Sequence, residues 1–312
     1  MLNAQEMQSV LSVAWWNVEN LFDLRDDPAT NDDEFTPQGE RHWTRRKLNA
    51  KLQGIYKTLS MMELPDVVGL GEVENKYVLR ELCQGTPLAQ VPYRYVHYDS
   101  PDRRGIDVAL IFRKDRFTVT SSRPVHVSDS ADGFYTRDIL VVEGVTADGD
   151  SVCLLVNHWP SKKGGEEADV RRLEIARQVR TLMLDLWHEH PGAAVIAMGD
   201  MNSTADEEAI AQGMGFGADS INPDGIRNLT HRLPSDWGSH KYHGQWDYID
   251  QVFFLADEGR WQVRKLKLLK YDHLLTEESG RLGMRPKRTY QGPHYEGGLS
   301  DHLPLLLRLS KK

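Results

Sequence analysis

Apolar runs along the chain alternate with polar, turn-rich segments in a pattern that predicts more strands than helices. A β-branched and aromatic run over residues 11–17 predicts the first strand, and the Asp-, Pro- and Asn-rich segment 23–39 after it predicts a loop. Further predicted strands cover residues 67–72, 94–97, 107–112, 139–145, 152–158, 194–198, 248–255 and 303–309.

Two segments instead show the three- to four-residue spacing of an amphipathic helix. The first begins at about Thr44 and ends before Pro65, with its basic side chains, including Lys51, expected on the solvent face. Its apolar face carries Leu48, Leu52, Ile55 and Leu59. The second runs from about Ala168 to Glu189 and ends at the Pro-Gly pair that follows. Its predicted buried face carries Val170, Leu173, Ala176, Leu182 and Leu186.

The order of these elements favours an α/β (α+β) fold of mixed sheets with helices outside. Helices separate only some of the strands, which is not the alternation of a strictly parallel, doubly wound sheet. We find no internal repeat and no long linker, so we expect one domain over residues 11–312, preceded by a tail over 1–10. At 312 residues, 40% hydrophobic and 27% charged, the composition is that of an ordinary globular protein.

Charge narrows the classes of partner. The formal net charge is −8, from 38 Lys plus Arg against 46 Asp plus Glu, so the chain lacks the overall basicity of a dedicated nucleic-acid binder. A phosphate-bearing substrate must therefore be met by local charges. Two cysteines are too few for a disulfide framework, and the apolar runs are too short to cross a bilayer.

The first ten residues lack the basic start and apolar run of an intact secretory signal. Small residues within positions 2–5 are compatible with the flank of a signal that has been removed, which would mean a secreted or periplasmic protein. The compartment stays open.

Several apolar runs end in a carboxylate, carboxamide or imidazole. For a single such residue, a helix cap or turn is the simpler interpretation. Six such ends in one chain favour a shared site, because a buried carboxylate is costly without a partner and a divalent cation is a common one. The residues are Asn17, Glu72, His158, Asp200 with Asn202, Asp250, and Asp301 with His302.

The motifs that carry these residues resemble, in sequence order, the endonuclease/exonuclease/phosphatase superfamily of metal-dependent phosphoesterases, which includes deoxyribonuclease-like and apurinic-endonuclease-like enzymes. The resemblance implies a four-layered α/β/β/α sandwich of two mixed sheets, with the site where strand ends of both sheets converge, and Mg²⁺ or Mn²⁺ as cofactor. The matching segments are Trp16 to Asn20, Gly71 to Glu74, Arg104 to Ala109, Thr136 to Asp138, Val156 to His158, Gly199 to Asn202, Ile249 to Gln251 and Ser300 to His302.

The resemblance also implies roles for single residues. Glu72 corresponds to the metal-binding glutamate, and Asp301 is expected near the metal. Asn17 corresponds to an asparagine that steadies the metal ligands or a phosphate oxygen, although a plain turn at the strand end explains it equally well. We count these three residues as the candidate metal-binding set.

Asp200 and Asn202 lie two positions apart, so their side chains point the same way on an extended backbone. In the family pattern the aspartate activates the attacking water, and the asparagine orients the water or binds the scissile phosphate. His158 corresponds to a residue that contacts the phosphate or protonates the leaving oxygen.

His302 corresponds to the histidine that faces the scissile phosphate. A histidine in that position needs a carboxylate to orient its ring, because the hydrogen bond at one ring nitrogen selects the protonation of the other. The family strand picks Asp250 for this role, with Asp247 as the rival three residues earlier.

Substrate contacts are expected from three further residues. Arg137 is a candidate for a two-pronged grip on phosphate, with a solvated strand-edge arginine as the alternative. Asn157 is next to His158, and Asp107 is expected to face the site in an unassigned role. The donor-rich and aromatic segment 239–246 suits substrate recognition, although a loop held by aromatic packing would look the same.

These observations predict a Mg²⁺- or Mn²⁺-dependent phosphoesterase that hydrolyses phosphodiester bonds by in-line attack of water, without a covalent intermediate. The alternatives are a phosphomonoesterase of the inositol-phosphate type and a non-catalytic relative that only binds a phosphorylated ligand. A protein that only binds a phosphorylated ligand does not need the complete set of matched residues, which argues against the non-catalytic alternative. DNA, RNA, nucleotides, lipid head groups and inositol phosphates stay open as substrates, and we expect a monomer.

Overall fold

The structure, a computed structural model, describes residues 10–127, 133–217 and 221–312. The N-terminal tail expected over residues 1–10 lies outside the described residues, except for Val10, which begins the first strand. The α-helices of the described residues are α1 (Arg45–Met61), α2 (Lys76–Gly85) and α3 (Gly165–Glu189). No helix in the described part of the chain is long and apolar enough to span a membrane.

The strands form two six-stranded sheets. The first sheet contains β1 (Val10–Leu21), β2 (Val67–Val73), β3 (Tyr93–His97), β4 (Asp107–Arg113), β13 (Trp261–Leu268) and β18 (Leu305–Lys311), in the order β13-β18-β1-β2-β4-β3. The second contains β5 (Phe117–Val125), β6 (Ile139–Thr146), β7 (Ser151–His158), β8 (Ala194–Asp200), β9 (Arg227–Asn228) and β12 (Asp250–Leu255), in the order β5-β6-β7-β8-β12-β9.

Three small hairpins lie outside the two sheets. They are β10 (His240–Tyr242) with β11 (Gln245–Asp247), β14 (Leu275–Glu277) with β15 (Met284–Pro286), and β16 (Tyr290–Gln291) with β17 (His294–Tyr295).

The two sheets pack face to face with helices on the outside. The core between the sheets joins residues of both, such as Trp15 and Leu307 from the first and Leu154 and Ile196 from the second. A second core lies between the first sheet and helices α1 and α2, and a third lies between the second sheet and α3. This arrangement is the four-layered α/β/β/α sandwich, so the expected fold class is confirmed.

Strand directions bring the ends of six strands to one edge of the sandwich. β1 runs parallel to β2, and β7 runs parallel to β8, so these four strands finish at the same edge. β18 is antiparallel to β1 and β12 is antiparallel to β8, so these two strands start there. The polar residues that follow or precede these strands are thereby gathered in one place.

Two helix faces differ from the sequence prediction. Val170 is 55% exposed, because the buried stripe of α3 instead runs through Ala168, Ile175, Val179 and neighbouring residues. Lys51 was expected on the solvent face of α1 but is only 2% exposed.

The elements that the sequence pattern did not predict include α2, β5 and β13. α2 is a ten-residue helix, begun by Asn75, whose side-chain oxygen accepts hydrogen bonds from the backbone N–H groups of Tyr77 and Val78. β5 and β13 are strands at the edges of the sheets with many exposed polar residues. In each strand a register shift, between Val119 and Ser121 and between Val263 and Lys265, interrupts the apolar alternation on which the prediction relied.

Candidate active site

A group of carboxylates and histidines occupies the edge where the six strand ends meet. Direct contacts of at most 3.9 Å link its members into one connected set. We call it the carboxylate–histidine cluster, and it consists of Asn17, Glu72, His158, Asp200, Asp250, Asp301 and His302.

Asp250 and His302 form the most enclosed pair of this cluster. The His302 Nδ1 atom lies 2.7 Å from Asp250 Oδ2, and the other carboxylate oxygen accepts a 2.6 Å hydrogen bond from the indole N–H of Trp15. Asp247 is instead half-buried on β11, where it pairs with His240 in the hairpin. Asp250, not its rival, therefore orients the imidazole.

The position of Trp15 depends on the residues beside it. Its indole lies against the backbone of β2, where a Cβ atom added to Gly71 would come within 2.8 Å of the Trp15 ring. Gly71 directly precedes Glu72. Because Gly71 has no side chain, the Trp15 ring can lie against this part of β2 and reach Asp250 in the other sheet.

Asp200 lies between the two histidines. Its Oδ2 atom is 3.6 Å from Nε2 of both His158 and His302 and accepts a 3.1 Å hydrogen bond from the Asn17 amide. The other oxygen, Oδ1, accepts a 2.9 Å bond from the backbone N–H of Asn202. The turn after β8 thus fixes the carboxylate and holds Asn202 beside it.

Asn17 steadies carboxylates and does not offer an oxygen ligand. Its Oδ1 accepts a hydrogen bond from the backbone N–H of Glu19, and its Nδ2 faces Glu72 Oε1 at 3.4 Å and Asp200 Oδ2 at 3.1 Å. The amide nitrogen, a donor, is thus the atom turned toward the cluster, an arrangement that steadies its carboxylates.

Asp301 and His302 lie beside residues that the sequence analysis did not assign. Asp301 Oδ2 is 3.3 Å from the Arg288 guanidinium and 3.9 Å from His240 Nε2. The His240 ring packs on the His302 ring at a centroid distance of 4.9 Å. The segment 239–246 therefore reaches the cluster through His240, at the first residue of the β10–β11 hairpin.

Backbone strain is concentrated at this edge. Glu19, Asn20, Glu72 and Asn202 have φ between 48° and 60°, a region that residues other than glycine rarely adopt. The Asn20 N–H that this conformation exposes donates a 2.9 Å bond to Glu72 Oε2. Strained residues of this kind persist where the surrounding structure holds them, and they are concentrated at functional sites.

The two histidines of the cluster hold different charges. Burial lowers the pKa of His302, but the carboxylates of Asp250, Asp200 and Asp301 together raise it well above its usual value, so the ring is an imidazolium at neutral pH. Burial, aided by the positive charge of Arg137, keeps the pKa of His158 well below its usual value. That ring is neutral.

Two aspartates of the cluster also differ. Burial raises the pKa of Asp200, and the nearby Asp250 carboxylate adds to the shift. Burial would raise the pKa of Asp301 as well, but the charges of His302 and Arg288 outweigh it and lower the pKa. Asp200 is thus suited to accept a proton, whereas Asp301 stays ionised.

The donor set fits a hard divalent cation. Four carboxylates, those of Glu72, Asp200, Asp250 and Asp301, gather around one imidazolium and one guanidinium, which leaves an excess of negative charge. Among the four, the side chains of Glu72 and Asp301 are the most exposed, at 14% and 21%. Mg²⁺ prefers carboxylate oxygens and keeps several of its waters, so accessible carboxylates of this kind suit it.

Arg137, expected to contact phosphate, has its guanidinium bonded within the protein. It is 6% exposed, and its guanidinium donates to the backbone oxygens of His158 and Trp159 and to the Asp102 carboxylate. With its fork engaged by the protein, Arg137 supports the turn after β7 that carries His158. The partner aspartate, Asp102, was not singled out from the sequence.

Asn157 and Asp107 are also turned away from the cluster. Asn157 is fully buried, with its amide nitrogen donating to backbone oxygens and its oxygen accepting the indole N–H of Trp159. Asp107 accepts the backbone N–H of Ser100 at 3.0 Å and lies 3.1 Å from His97 Nε2. The polar atoms of both side chains are thus engaged by other parts of the protein.

Sequence comparison assigns the family. A sequence profile of the Endonuclease/Exonuclease/phosphatase family matches residues 12–311. The chain belongs to this family. Endonuclease/exonuclease/phosphatase enzymes are divalent-metal-dependent hydrolases that act on phosphate ester bonds, in agreement with the acidic cluster found here. No curated protein matches the chain.

Solved structures share the fold at low sequence identity. The human Nocturnin catalytic domain with a bound sulfate anion has a TM-score of 0.61 and 16% identity, covering 98% of this chain and 94% of that one. D. rerio TDP2 complexed with a single-strand DNA product has a TM-score of 0.60 and 17% identity, covering 97% and 99%. A Bacteroides thetaiotaomicron protein of the endonuclease/exonuclease/phosphatase family has a TM-score of 0.58 and 16% identity, covering 96% and 95%.

Proposed function

We propose that this endonuclease/exonuclease/phosphatase protein hydrolyses phosphodiester bonds with Mg²⁺ or Mn²⁺, by in-line attack of water and without a covalent intermediate. The observation that carries the proposal is the row formed by Asp250, His302 and Asp200, next to the partly exposed carboxylates of Glu72 and Asp301. This row combines an oriented imidazolium with a proton acceptor.

Asp200 accepts a proton from the attacking water. Its raised pKa brings its basicity closer to what a general base near neutral pH requires. Asn202, held by its backbone bond to Asp200 and by its amide bond to the Trp159 carbonyl, orients that water or a phosphate oxygen. Asn17 keeps the Asp200 carboxylate in place by donating to Oδ2.

His302 stabilises charge on the phosphate oxygens. Asp250 and Trp15 hold its ring from behind, so that Nε2 is directed toward Asp200 and Asp301. A donor fixed before the reaction costs no reorganisation when negative charge grows in the transition state. The neutral ring of His158 lies on the other side of Asp200, where it contacts the phosphate.

Glu72 and Asp301 would hold the metal ion, with Asn17 and the Asn20 N–H orienting the Glu72 carboxylate. When bound, the ion would supply a positive charge that polarises the phosphoryl group. Arg288, which pairs with Asp301, keeps that carboxylate ionised.

Phosphodiesters are the proposed substrate class. Hydrolysis of a diester breaks one P–O bond and releases that oxygen as an alcohol, which needs a proton that the His302 imidazolium can donate while Asp200 takes one from water. The complex of D. rerio TDP2 with a single-strand DNA product supports nucleic acid as the first polymer to test. The net charge of −8 makes the contact with a polyanion local and sensitive to salt.

The test is a substrate panel of bis-p-nitrophenyl phosphate, p-nitrophenyl phosphate, single-stranded DNA, plasmid DNA and inositol phosphates, each with Mg²⁺, Mn²⁺ or chelator. We expect hydrolysis of diesters that chelation abolishes and added metal restores. Faster turnover of monoesters across the panel would favour a phosphatase instead. Full activity in excess chelator would refute the metal dependence, and the Asp200→Asn variant controls for contaminating enzymes.

A further inference from the structure

A buried lysine lies behind the carboxylate–histidine cluster and takes no part in the mechanism above. The Nζ atom of Lys51, on α1, donates to the Glu19 carbonyl at 2.6 Å, to Thr289 Oγ1 at 2.5 Å and to the Leu299 carbonyl at 2.9 Å. Its three protons are therefore fully used. Burial lowers the pKa of the Lys51 amine, while the carboxylates of Glu19, Glu72 and Asp301 raise it.

The first acceptor belongs to the strained turn that orients Glu72. Glu19 and Asn20 both have positive φ, and the pairing of β1 with β2 is irregular at this point. The conformation turns the Glu19 carbonyl toward Lys51 and the Asn20 N–H toward Glu72 Oε2. Lys51 thus stabilises a backbone conformation that would otherwise be unfavourable.

The other two acceptors belong to the segment that leads into Asp301. Leu299 lies two residues before Asp301, and Thr289 follows Arg288, the partner of Asp301. The Thr289 N–H also donates to Glu19 Oε2 at 2.6 Å. Lys51 and Glu19 together join this segment to the end of β1.

We propose that Lys51 is a positioning residue for the metal centre, fixing the Glu72 carboxylate and the Asp301 carboxylate relative to one another through the Glu19 and Leu299 carbonyls. The inference rests on the proposed function, because it assumes that these two carboxylates bind a divalent cation. Each carboxylate is reached from Lys51 through a short stretch of backbone, so one ammonium group couples two strand ends that lie far apart in sequence.

The direction in which metal affinity changes when Lys51 is replaced distinguishes a positioning role from a purely electrostatic one. A buried ammonium repels a cation bound to nearby carboxylates, so its removal would strengthen metal binding if charge alone mattered. Loss of the three hydrogen bonds releases the Glu19 turn and the Leu299 segment, which would weaken metal binding. Positioning therefore predicts the opposite direction to electrostatics.

The test compares Lys51→Met with Lys47→Met by direct Mn²⁺ binding, followed through the electron paramagnetic resonance signal of free Mn²⁺ without substrate. Lys47 lies one turn earlier on α1 and bonds the Arg41 carbonyl and the Tyr290 hydroxyl, but none of the acceptors of Lys51. We expect Lys51→Met to weaken Mn²⁺ binding by about 10-fold, a usual cost of losing a group that orients a metal ligand. Lys47→Met should bind as the parent does.

Unchanged or tighter Mn²⁺ binding by folded Lys51→Met would overturn the proposal, whatever its thermal stability in chelator. Should Lys51→Met fail to fold, Thr289→Val removes one acceptor and leaves the lysine in place. With one of its three acceptors gone, Lys51 is held less firmly, so binding should weaken by less than the factor of about 10 expected for Lys51→Met, and unchanged binding would equally refute the role. Failure of the parent protein itself to bind Mn²⁺ would refute the proposed function instead.

Discussion

Replacing Asp250 by asparagine should sharply reduce turnover without removing a proposed metal ligand. The two side chains have nearly the same shape, so the change is confined to charge and hydrogen-bond pattern. Trp15 decides how the new amide sits, because its indole N–H requires an oxygen at the position where Asp250 Oδ1 is now. The amide nitrogen then faces His302 Nδ1, which must become an acceptor and lose its proton.

The size of the loss follows from the charges around His302. Asp250 lies at 2.7 Å, while Asp200 and Asp301 face the other side of the ring at 3.6 and 3.8 Å. Two of the three carboxylates remain in Asp250→Asn, so part of the upward shift in the pKa of His302 survives. The ring keeps a proton on Nε2 but loses its positive charge, so we expect kcat to fall by about 10²- to 10³-fold, the usual cost of losing one fixed electrostatic contact in a transition state.

The assay is hydrolysis of bis-p-nitrophenyl phosphate at saturating Mg²⁺, with kcat recorded against pH. Because the variant lowers the pKa of His302, the fall of kcat at high pH, where the imidazolium loses its proton, should begin at a lower pH than in the parent protein. His302→Ala should show a similar loss without this shift of the high-pH limb, and the double variant should be little worse than either single one, since both residues act as one unit.

Asp247→Asn is the matched control, because it makes the same substitution in the hairpin, away from the His302 ring. Its kcat should stay close to that of the parent. If Asp247→Asn loses as much activity as Asp250→Asn, or if extra Mg²⁺ restores His302→Ala, the assignment of the pair is wrong.

Three further outcomes are expected. Glu72→Gln removes a charge from the metal site, so its activity defect should narrow as Mg²⁺ is raised, and a defect that is independent of Mg²⁺ would contradict the role. Burial lowers the pKa of His240 to about 4, so the folded protein resists a proton that the unfolded chain takes up below about pH 6.5. The free energy of unfolding in chelator should therefore fall as the pH drops from 7, and His240→Gln should remove about 2 kcal/mol of that loss by about pH 5. Urea unfolding at several pH values measures it. The same dependence on pH in His240→Gln and the parent protein would contradict the prediction. Arg137→Met leaves the buried Asp102 carboxylate without its partner and should cost about 3–5 kcal/mol of unfolding free energy, whereas the exposed Arg104→Met should cost far less.

The residues at the strand ends could be predicted because each is a polar or charged residue at the end of an apolar run. Asp200, Asp250 and His302 follow or precede buried strands, and strand direction alone brings them together. The face of the sheet to which a side chain at a strand end points is harder to predict. Asn157 and His158 are neighbours in sequence, yet their side chains point to opposite faces, and only His158 reaches the cluster.

Other features depend on contacts between distant segments. Lys51 shares a helix with exposed basic residues, and no local pattern indicates that residues 289–299 cover it. Arginine is a residue type that often binds phosphate, but the Arg137 guanidinium donates to Asp102 and to two backbone carbonyl oxygens. Burial of a charged side chain is decided by tertiary contacts, which periodicity does not contain.

Trp15 and Trp16 tie the first strand to the far end of the chain. The Trp16 indole donates to the His302 carbonyl across 286 positions, and the Trp15 indole donates to Asp250 across 235. Contacts this distant in sequence form only after long loops have closed, which makes folding slow. The active site therefore forms only when the first and last strands have paired, and a partly folded chain in which they have not paired has no catalytic row.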